Sequence, residues 1–262
     1  MEYISYQKKK KLSEIKNLRN QYLDGLIEPQ EMFLELFCRK ATIYEIMRNG
    51  VPIGYFLAGK DSTLYEYHLN DTFIHRTDEV LHQILSEFSI QKALCKSFDH
   101  HFMSCCLGLQ KKARVLGILF REYRETSDPV INNHQLQIRF AEEKDLDHMF
   151  RINEEVFETK EEIIGVIHNK NMLIFESKEE SIGFGVFQRI IEGRVAFDLG
   201  MLVEKKFRNQ GYGQTIIRYL RNYCAENGWR GICGCAVENT ASRKCLERAG
   251  YIGKYRMLEF TF

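Results

Sequence analysis

The sequence predicts two α/β domains in tandem, each a mixed, mostly antiparallel sheet flanked by helices in an α+β layer. Three observations carry this reading. The chain has 262 residues, more than one ordinary domain needs and enough for two small ones. Its halves also resemble each other: the stretch Ala41 to Leu57 aligns with Lys170 to Val186 at an offset of 129 residues, close to half the chain. Both stretches read as strand, tight turn, strand, and share an Ile-Gly-aromatic step at Ile53-Gly54-Tyr55 and Ile182-Gly183-Phe184. Between them, the polar run Thr126 to His134 offers Asp-Pro and Asn-Asn turn chemistry. The expected division is therefore residues 1–127, a linker at 128–134, and residues 135–262.

The second half reads in order as a strand over Leu136 to Ala141, a helix over Glu143 to Asn153 and a short helix near Lys160 to Asn169. Three strands follow, at Met172 to Glu176, Ile182 to Ile190 and Arg194 to Val203. From Gly213 to Glu226 the apolar residues Ile216, Ile217, Leu220, Tyr223 and Cys224 recur at helical spacing, and Asn227-Gly228 supplies a stop. A strand at Gly231 to Val237, a helix at Thr240 to Arg248 ended by Gly250, and a last strand near Arg256 to Phe262 complete the domain.

Composition narrows the function classes. Hydrophobic residues at 44% and charged residues at 28% fit a chain with a packed core rather than a disordered one. Lysine plus arginine, 37, almost cancels aspartate plus glutamate, 36, so the global basic field of a nucleic-acid binder is absent and no nucleic-acid partner is expected. No apolar run approaches the roughly 18 residues a bilayer span needs, and no signal-peptide pattern follows the lysines at 8–11. A soluble, cytoplasmic protein without a membrane partner is expected. Its eight cysteines, Cys38, Cys95, Cys105, Cys106, Cys224, Cys233, Cys235 and Cys245, read as reduced thiols, mostly buried.

The segment from Val203 to Gly213 carries the most chemistry. It lies between an expected strand and an expected helix, and Gly211 and Gly213 let the backbone turn tightly and approach a ligand. Amides at the helix start, the positive end of the helix dipole, and Lys205, Lys206 and Arg208 then favour a phosphate or pyrophosphate. For a lone Gly-x-Gly, a plain strand-to-helix loop is the favoured account.

The pattern Arg208-Asn209-Gln210-Gly211-Tyr212-Gly213, with Val203 five residues before the arginine, resembles the acetyl-CoA pyrophosphate loop of the GNAT superfamily of N-acetyltransferases. The family's usual proline two residues after the valine is Lys205 here. Downstream, the run from Asn239 through Ser242 and Glu247 to Gly250-Tyr251 is similar to the family's second cofactor motif. The resemblance covers about the last 125 residues, and with the repeat it implies two GNAT-like domains. It implies acetyl-CoA as co-substrate, laid across a splay between two parallel strands. Its pantetheine would pair with the strand ending at Met201, Leu202 and Val203, and its pyrophosphate would sit on residues 208–213. Asn239 would bind the pantetheine arm, or cap the following helix, or both. The first domain reads as degenerate, because no glycine occurs from Lys60 to Leu107, where its own phosphate loop would fall.

Acetyl transfer to an amine needs a group to take the amine's proton and a donor for the departing thiolate. Many family members place a tyrosine four residues before the glycine of the second motif, but Leu246 stands there. In branches with a pattern similar to this one, a serine has been considered as the donor, which makes Ser242 the candidate; a hydrogen bond in the helix's first turn is the plainer role. For a base, the same-face residues of the expected strand are Phe197, Leu199 and Met201. Asp198 is the carboxylate nearby, on the opposite face unless a bulge changes the count. Glu154, Glu155, Glu158, Glu161 and Glu162 lie where relatives form the acceptor site; they read as a solvated face or, failing that, as recognition of a cationic amine.

No metal is expected. His100, His101, Cys105 and Cys106 offer a helical i, i+4 pattern without an accompanying ligand pair. The function read from the sequence is transfer of an acetyl group from acetyl-CoA to a primary amine of a small molecule or peptide. The alternative, suggested by Leu246 and the missing strand glutamate, is an acyl-CoA-binding module without turnover.

Overall fold

Strands and helices run twice through a similar order in the computed structural model, which describes residues 4–125, 136–153, 156–178 and 180–262. In chain order the first series is β1 (Ile4–Lys9), α1 (Lys16–Gly25), α2 (Met32–Lys40), β2 (Thr42–Arg48), β3 (Val51–Ala58), β4 (Thr63–Leu69), α3 (Thr77–Glu87), β5 (Lys92–Lys96), α4 (His100–Leu109) and β6 (Lys112–Phe120). The second is β7 (Glu122–Tyr123), β8 (Gln137–Phe140), α5 (Leu146–Ile152), α6 (Lys160–His168), β9 (Met172–Ser177), β10 (Glu180–Arg189), β11 (Ala196–Val203), α7 (Tyr212–Glu226), β12 (Arg230–Ala236), α8 (Thr240–Arg248), β13 (Tyr251–Ile252) and β14 (Tyr255–Thr261).

Contacts divide the chain into two units. One holds the residues up to Leu119 with Ala236–Glu238 and Lys254–Phe262; the other holds Phe120–Cys235 and Asn239–Gly253. The last strand of the chain thus packs in the first unit, although the sequence order places it in the second domain. The expected linker, 128–134, lies outside the described residues.

In the first unit the strand order is β1-β2-β3-β4-β5-β14-β6. Neighbours are antiparallel except β4 and β5. Asn49 and Gly50, at φ 49° and 80°, turn β2 into β3 in the left-handed conformation that an Asn-Gly hairpin favours. One face of the sheet packs Phe56, Tyr67, Leu81, Ile84, Phe102 and Phe260 into a core.

Another part of this unit is polar. Glu66 on β4 is 0% exposed and accepts hydrogen bonds from Arg19 (2.9 and 3.0 Å), Gln30 (2.7 Å) and Tyr55 (2.9 Å). Arg19 also pairs with Glu35, and Gln30 accepts from Lys96 at 2.9 Å. Lys96 continues to Tyr22 at 2.7 Å, and Tyr22 donates to Asp99 at 2.5 Å. Burial pushes the Glu66 carboxyl up, but the charge and hydrogen bonds of Arg19, with Lys96 and Tyr55, outweigh it and hold the group below its ordinary range.

In the second unit the strand order is β12-β11-β10-β9-β8, antiparallel except for β11 and β12, with a small β13-β7 pair beside it. The start of this unit is held by Arg121, which donates to the Cys233 carbonyl at 3.0 Å. Helix α7 buries Ile216, Ile217, Leu220 and Cys224, the face its spacing predicts, and ends where Gly228 adopts φ 72°. Thr159 caps α6 by accepting from the Glu162 amide at 3.3 Å.

The shared Ile-Gly-aromatic step has one physical cause in both units. A Cβ on Gly54 would lie 2.1 Å from the His68 carbonyl oxygen, and a Cβ on Gly183 would lie 2.1 Å from that of Leu202. Each glycine lets the neighbouring strand approach at the same register, Gly54 opposite Leu69 and Gly183 opposite Val203. The bonds that follow also match, Asn70 to the Ile53 carbonyl and Glu204 to that of Ile182, both at 2.8 Å.

The buried network yields a first prediction. Glu66→Ala leaves Arg19 short of one of its two carboxylates, and breaking a buried pair costs about 3 kcal/mol or more; denaturant unfolding is expected to show that loss. Because the folded Glu66 pKa lies below its unfolded value, its stabilisation is present above the unfolded pKa and is lost as pH falls through the folded one. Acid titration of unfolding is therefore expected to show a smaller loss in Glu66→Ala than in the parent.

Candidate functional site

The second unit opens where β11 and β12 stop pairing. Their parallel ladder holds for three pairs, Ala196 with Arg230, Phe197 with Gly231 and Asp198 with Ile232. Beyond Asp198 the strands part while β11 runs on to Val203, so its edge toward β12 offers peptide groups to a ligand.

At the end of β11 the chain turns through a short 3-10 segment, Lys205–Phe207, into α7. Asn209 (φ 61°) and Gly211 (φ 90°) both adopt left-handed backbone there. The first α7 bond closes from the Thr215 amide to the Gly211 carbonyl at 3.2 Å, so the amides before Thr215 have no acceptor within the helix. Gly213 is required by contact: a Cβ there would stand 2.9 Å from Cys245 Sγ and 3.5 Å from Met201 Sδ. Arg208 Nε donates to the Val203 carbonyl at 2.9 Å and ties the loop to the strand end.

Helix α8 closes the other side. Asn239 accepts from the Ser242 amide at 2.9 Å, and Ala241, Ser242, Lys244, Cys245 and Arg248 share the helix face that lines a cleft of about 490 Å³. Burial pushes the Cys245 thiol up to about 11, and also raises Cys235, to which the Ser242 hydroxyl hydrogen-bonds. Arg208, Lys244 and Arg248 bring three positive charges to the lining, which contains no carboxylate among the described residues. That balance suits a polyanion.

The cleft gathers Met201, Leu202, Val203, Arg208, Asn209, Gly211, Tyr212, Gly213, Asn239 and Ser242. Gln210 is turned away and donates to the Lys206 carbonyl at 3.0 Å. Asp198 is outside the lining too: it sits opposite Gln188 in a β10–β11 ladder that runs without a bulge, so the period-two alternation stands and Asp198 and Ser242 do not share the cleft. Leu246 is 2% exposed and packs in the core, whereas its neighbour Cys245 faces the cleft.

Of the glutamate run, Glu154 and Glu155 lie outside the described residues. Glu162 accepts from the Glu158 amide at 2.8 Å, Glu161 is exposed in the first turn of α6, and among the described residues of this segment Val156 reaches the cleft. The cleft residues the sequence reading omits are Val156, Phe207, Gln214, Ala241, Lys244, Cys245 and Arg248. For the last four, spacing from the Asn239 cap was a usable signal, since 241, 244, 245 and 248 fall on one helical stripe.

The first unit repeats the frame without the cradle. Its parallel pair holds at Thr63 with Lys92 and Leu64 with Ala93, and α3 follows a 3-10 turn, Asp71–Arg76, with Asp78 and Glu79 in its first turn. Acidic residues at a helix start oppose a bound phosphate. Cys105 donates to the His101 carbonyl at 3.1 Å, an intrahelical contact. Among the described residues, one cluster has metal-ligand chemistry, Glu35, Cys38 and Glu66, and the Arg19 guanidinium already bridges its two carboxylates. No helix among the described residues is long and apolar enough to cross a membrane.

Comparison with known proteins addresses both halves. Residues 11–123 match a family model described as an acetyltransferase (GNAT) domain, and residues 130–251 match that of the acetyltransferase (GNAT) family. No curated protein sequence matches the chain significantly. Among solved structures, an acetyltransferase of the GNAT family from Colwellia psychrerythraea superposes with a TM-score of 0.87 at 19% identity, covering 98% of this chain and 99% of that one. A tandem GNAT protein from the clavulanic acid biosynthesis pathway gives 0.57 at 9% identity, covering 99% and 98%. A GCN5-related N-acetyltransferase from Sphaerobacter thermophilus gives 0.56 at 14% identity, covering 93% and 84%. These likenesses concern the fold, and two domain matches in chain order concern the family: this chain belongs to the GNAT acetyltransferase family, as a member with two GNAT domains in tandem.

Proposed function

We propose that the second unit binds acetyl-CoA and transfers its acetyl group to an amine. The carrying observation is the cleft itself, where parting parallel strands, a left-handed loop at a helix start and three positive charges meet, with no carboxylate among the described lining residues. The loop amides and Arg208, Lys244 and Arg248 would hold the phosphates, and the free edge of β11 would hold the pantetheine arm. The side chain of Asn239 already accepts from the Ser242 amide, so its NH₂ group remains for the ligand.

In the transfer the amine nitrogen attacks the thioester carbonyl carbon, a C–N bond forms, the C–S bond breaks, and the amine's proton ends on the sulfur. Ser242, in the cleft wall, is the proposed hydrogen-bond donor to the departing thiolate. Leu246 in the core leaves no room for the tyrosine route. Asp198, outside the lining, would act on the amine only through intervening water, so we assign it the secondary place. The proposed acceptor is an amine of a small molecule or peptide; among the described glutamates of the run, Glu158, Glu161 and Glu162 do not line the cleft.

Release of free CoA thiol from acetyl-CoA against a panel of amines and peptides, with mass spectrometry of the products, tests this reading. Acetylated product is expected. Binding that leaves acetyl-CoA whole with every amine would favour the module without turnover.

Three variants sharpen the test. Saturating acetyl-CoA at about 100 times its Kd is expected to stabilise the protein by about 2.7 kcal/mol, read as a raised melting temperature. Gly211→Val should abolish that rise, because φ 90° is strained for a branched residue and the side chain would enter the phosphate cradle. An Asp78→Ala variant, altering the matching place in the first unit, should keep it. For Ser242→Ala, steady-state kinetics should show turnover lower by about 10²-fold, the low end for general-acid help, with acetyl-CoA affinity unchanged. Unaltered turnover would return Ser242 to its place in the first turn of α8.

A further inference from the structure

We propose that the first unit carries its own binding site for a small organic cation bearing a primary ammonium group. This stands independently of acetyl transfer by the second unit. The site is a cavity of about 630 Å³, and its walls include Tyr22, His68, Asn70, Asp71, Asp99 and His101. It forms at the end of β4 and the start of α4, the places that β11 and α8 take in the second unit. Register makes the correspondence specific: Leu69 stands opposite Gly54 as Val203 stands opposite Gly183, so His68 occupies the position of Leu202. Asp99 caps α4 by accepting from the Phe102 amide, as Asn239 caps α8.

The chemistry of the two walls is opposite. Among the described residues, the cleft of the second unit has three cations and no carboxylate, and this cavity has Asp71 and Asp99 and neither lysine nor arginine in its lining. A phosphate-bearing ligand would meet carboxylates here, with Asp78 and Glu79 behind them at the start of α3.

Three buried polar atoms of the lining side chains lack a hydrogen-bond partner among the described residues: His68 Nε2, Asn70 Oδ1 and His101 Nε2. Buried polar atoms are nearly always satisfied, so three around one cavity call for a polar occupant. Burial pulls His68 down to about 4, with His101 adding to the effect, and burial lowers His101 as well. Both imidazoles are therefore neutral near pH 7, and in the tautomer protonated at Nδ1 each presents its unpartnered Nε2 as an acceptor. Their rings are set in place by neighbours, His68 against Tyr22 and Tyr55 at 5.9 Å and His101 stacked on Tyr67 at 6.3 Å.

Asp99 is already engaged by the Tyr22 hydroxyl and the α4 amide, with Lys96 Nζ 3.8 Å away. Asp71 thus supplies the charge for a ligand, and the Asn70 carbonyl and the imidazole nitrogens supply acceptors. An ammonium has three donors and no acceptor, which matches this set. The apolar part of the lining, Leu26, Ile27 and Ile74, would take a short alkyl chain.

The test uses the full chain at pH 7.5 without acetyl-CoA, and follows the His68 and His101 ring resonances by NMR while butylamine, butanol or butyrate is added. Butylamine, protonated at this pH, is expected to shift both resonances saturably, and butyrate to leave them in place. Asp71→Asn, which keeps the shape of an exposed side chain, should weaken butylamine binding at least tenfold. His68→Leu, which installs the residue the second unit has at this register, should do the same for the His101 shift. The proposal is overturned if butylamine gives no saturable shift, if butyrate matches it, or if both variants bind butylamine as the parent does.

Discussion

Each unit depends on a parallel strand pair that separates soon after it forms. A parallel ladder requires a crossover between its strands, and here the crossover is the helix that follows the first strand of the pair. In the second unit the pair lasts three residues and in the first unit two. Where the strands let go, peptide groups, a helix start and the cap of the next helix come together around one opening. The fold thus makes a cavity twice, and what each cavity takes is decided by the side chains placed on an equivalent frame.

Those side chains diverge at matching positions. Leu202 corresponds to His68, the left-handed loop with Gly211 corresponds to a 3-10 turn without glycine, and an acid-free start of α7 corresponds to Asp78 and Glu79 at the start of α3. The cleft of the second unit becomes electropositive and the cavity of the first becomes a cluster of acceptors. Behind the latter, the chain of hydrogen bonds from Asp99 through Tyr22, Lys96 and Gln30 to Glu66 and Arg19 holds buried charge in a fixed arrangement. Such a network is stable only when every member is satisfied, which explains why it spans five separate elements and loops.

Much of the frame was legible in the sequence because its causes are local. The step at Gly54 and Gly183 shows in the letters since only glycine tolerates a carbonyl 2.1 Å from its Cβ position. The α7 face shows in its period, and the cleft stripe of α8 could have been read from Asn239 onward. Other features have no local cause. The pairing of β14 with β5 and β6 joins residues more than a hundred positions apart, and nothing in Tyr255 to Thr261 marks its partners. His68 and His101 meet at one cavity through topology, while their spacing along the chain is uninformative. Gln210 carries a motif position but turns its side chain toward Lys206, which only the loop's backbone conformation decides.

The two units differ toward one ligand, and calorimetric titration of the full chain with acetyl-CoA measures that inequality directly. One equivalent bound per chain is the predicted result, since only the second unit combines the left-handed loop with a cationic lining. Two equivalents, or none, would contradict it.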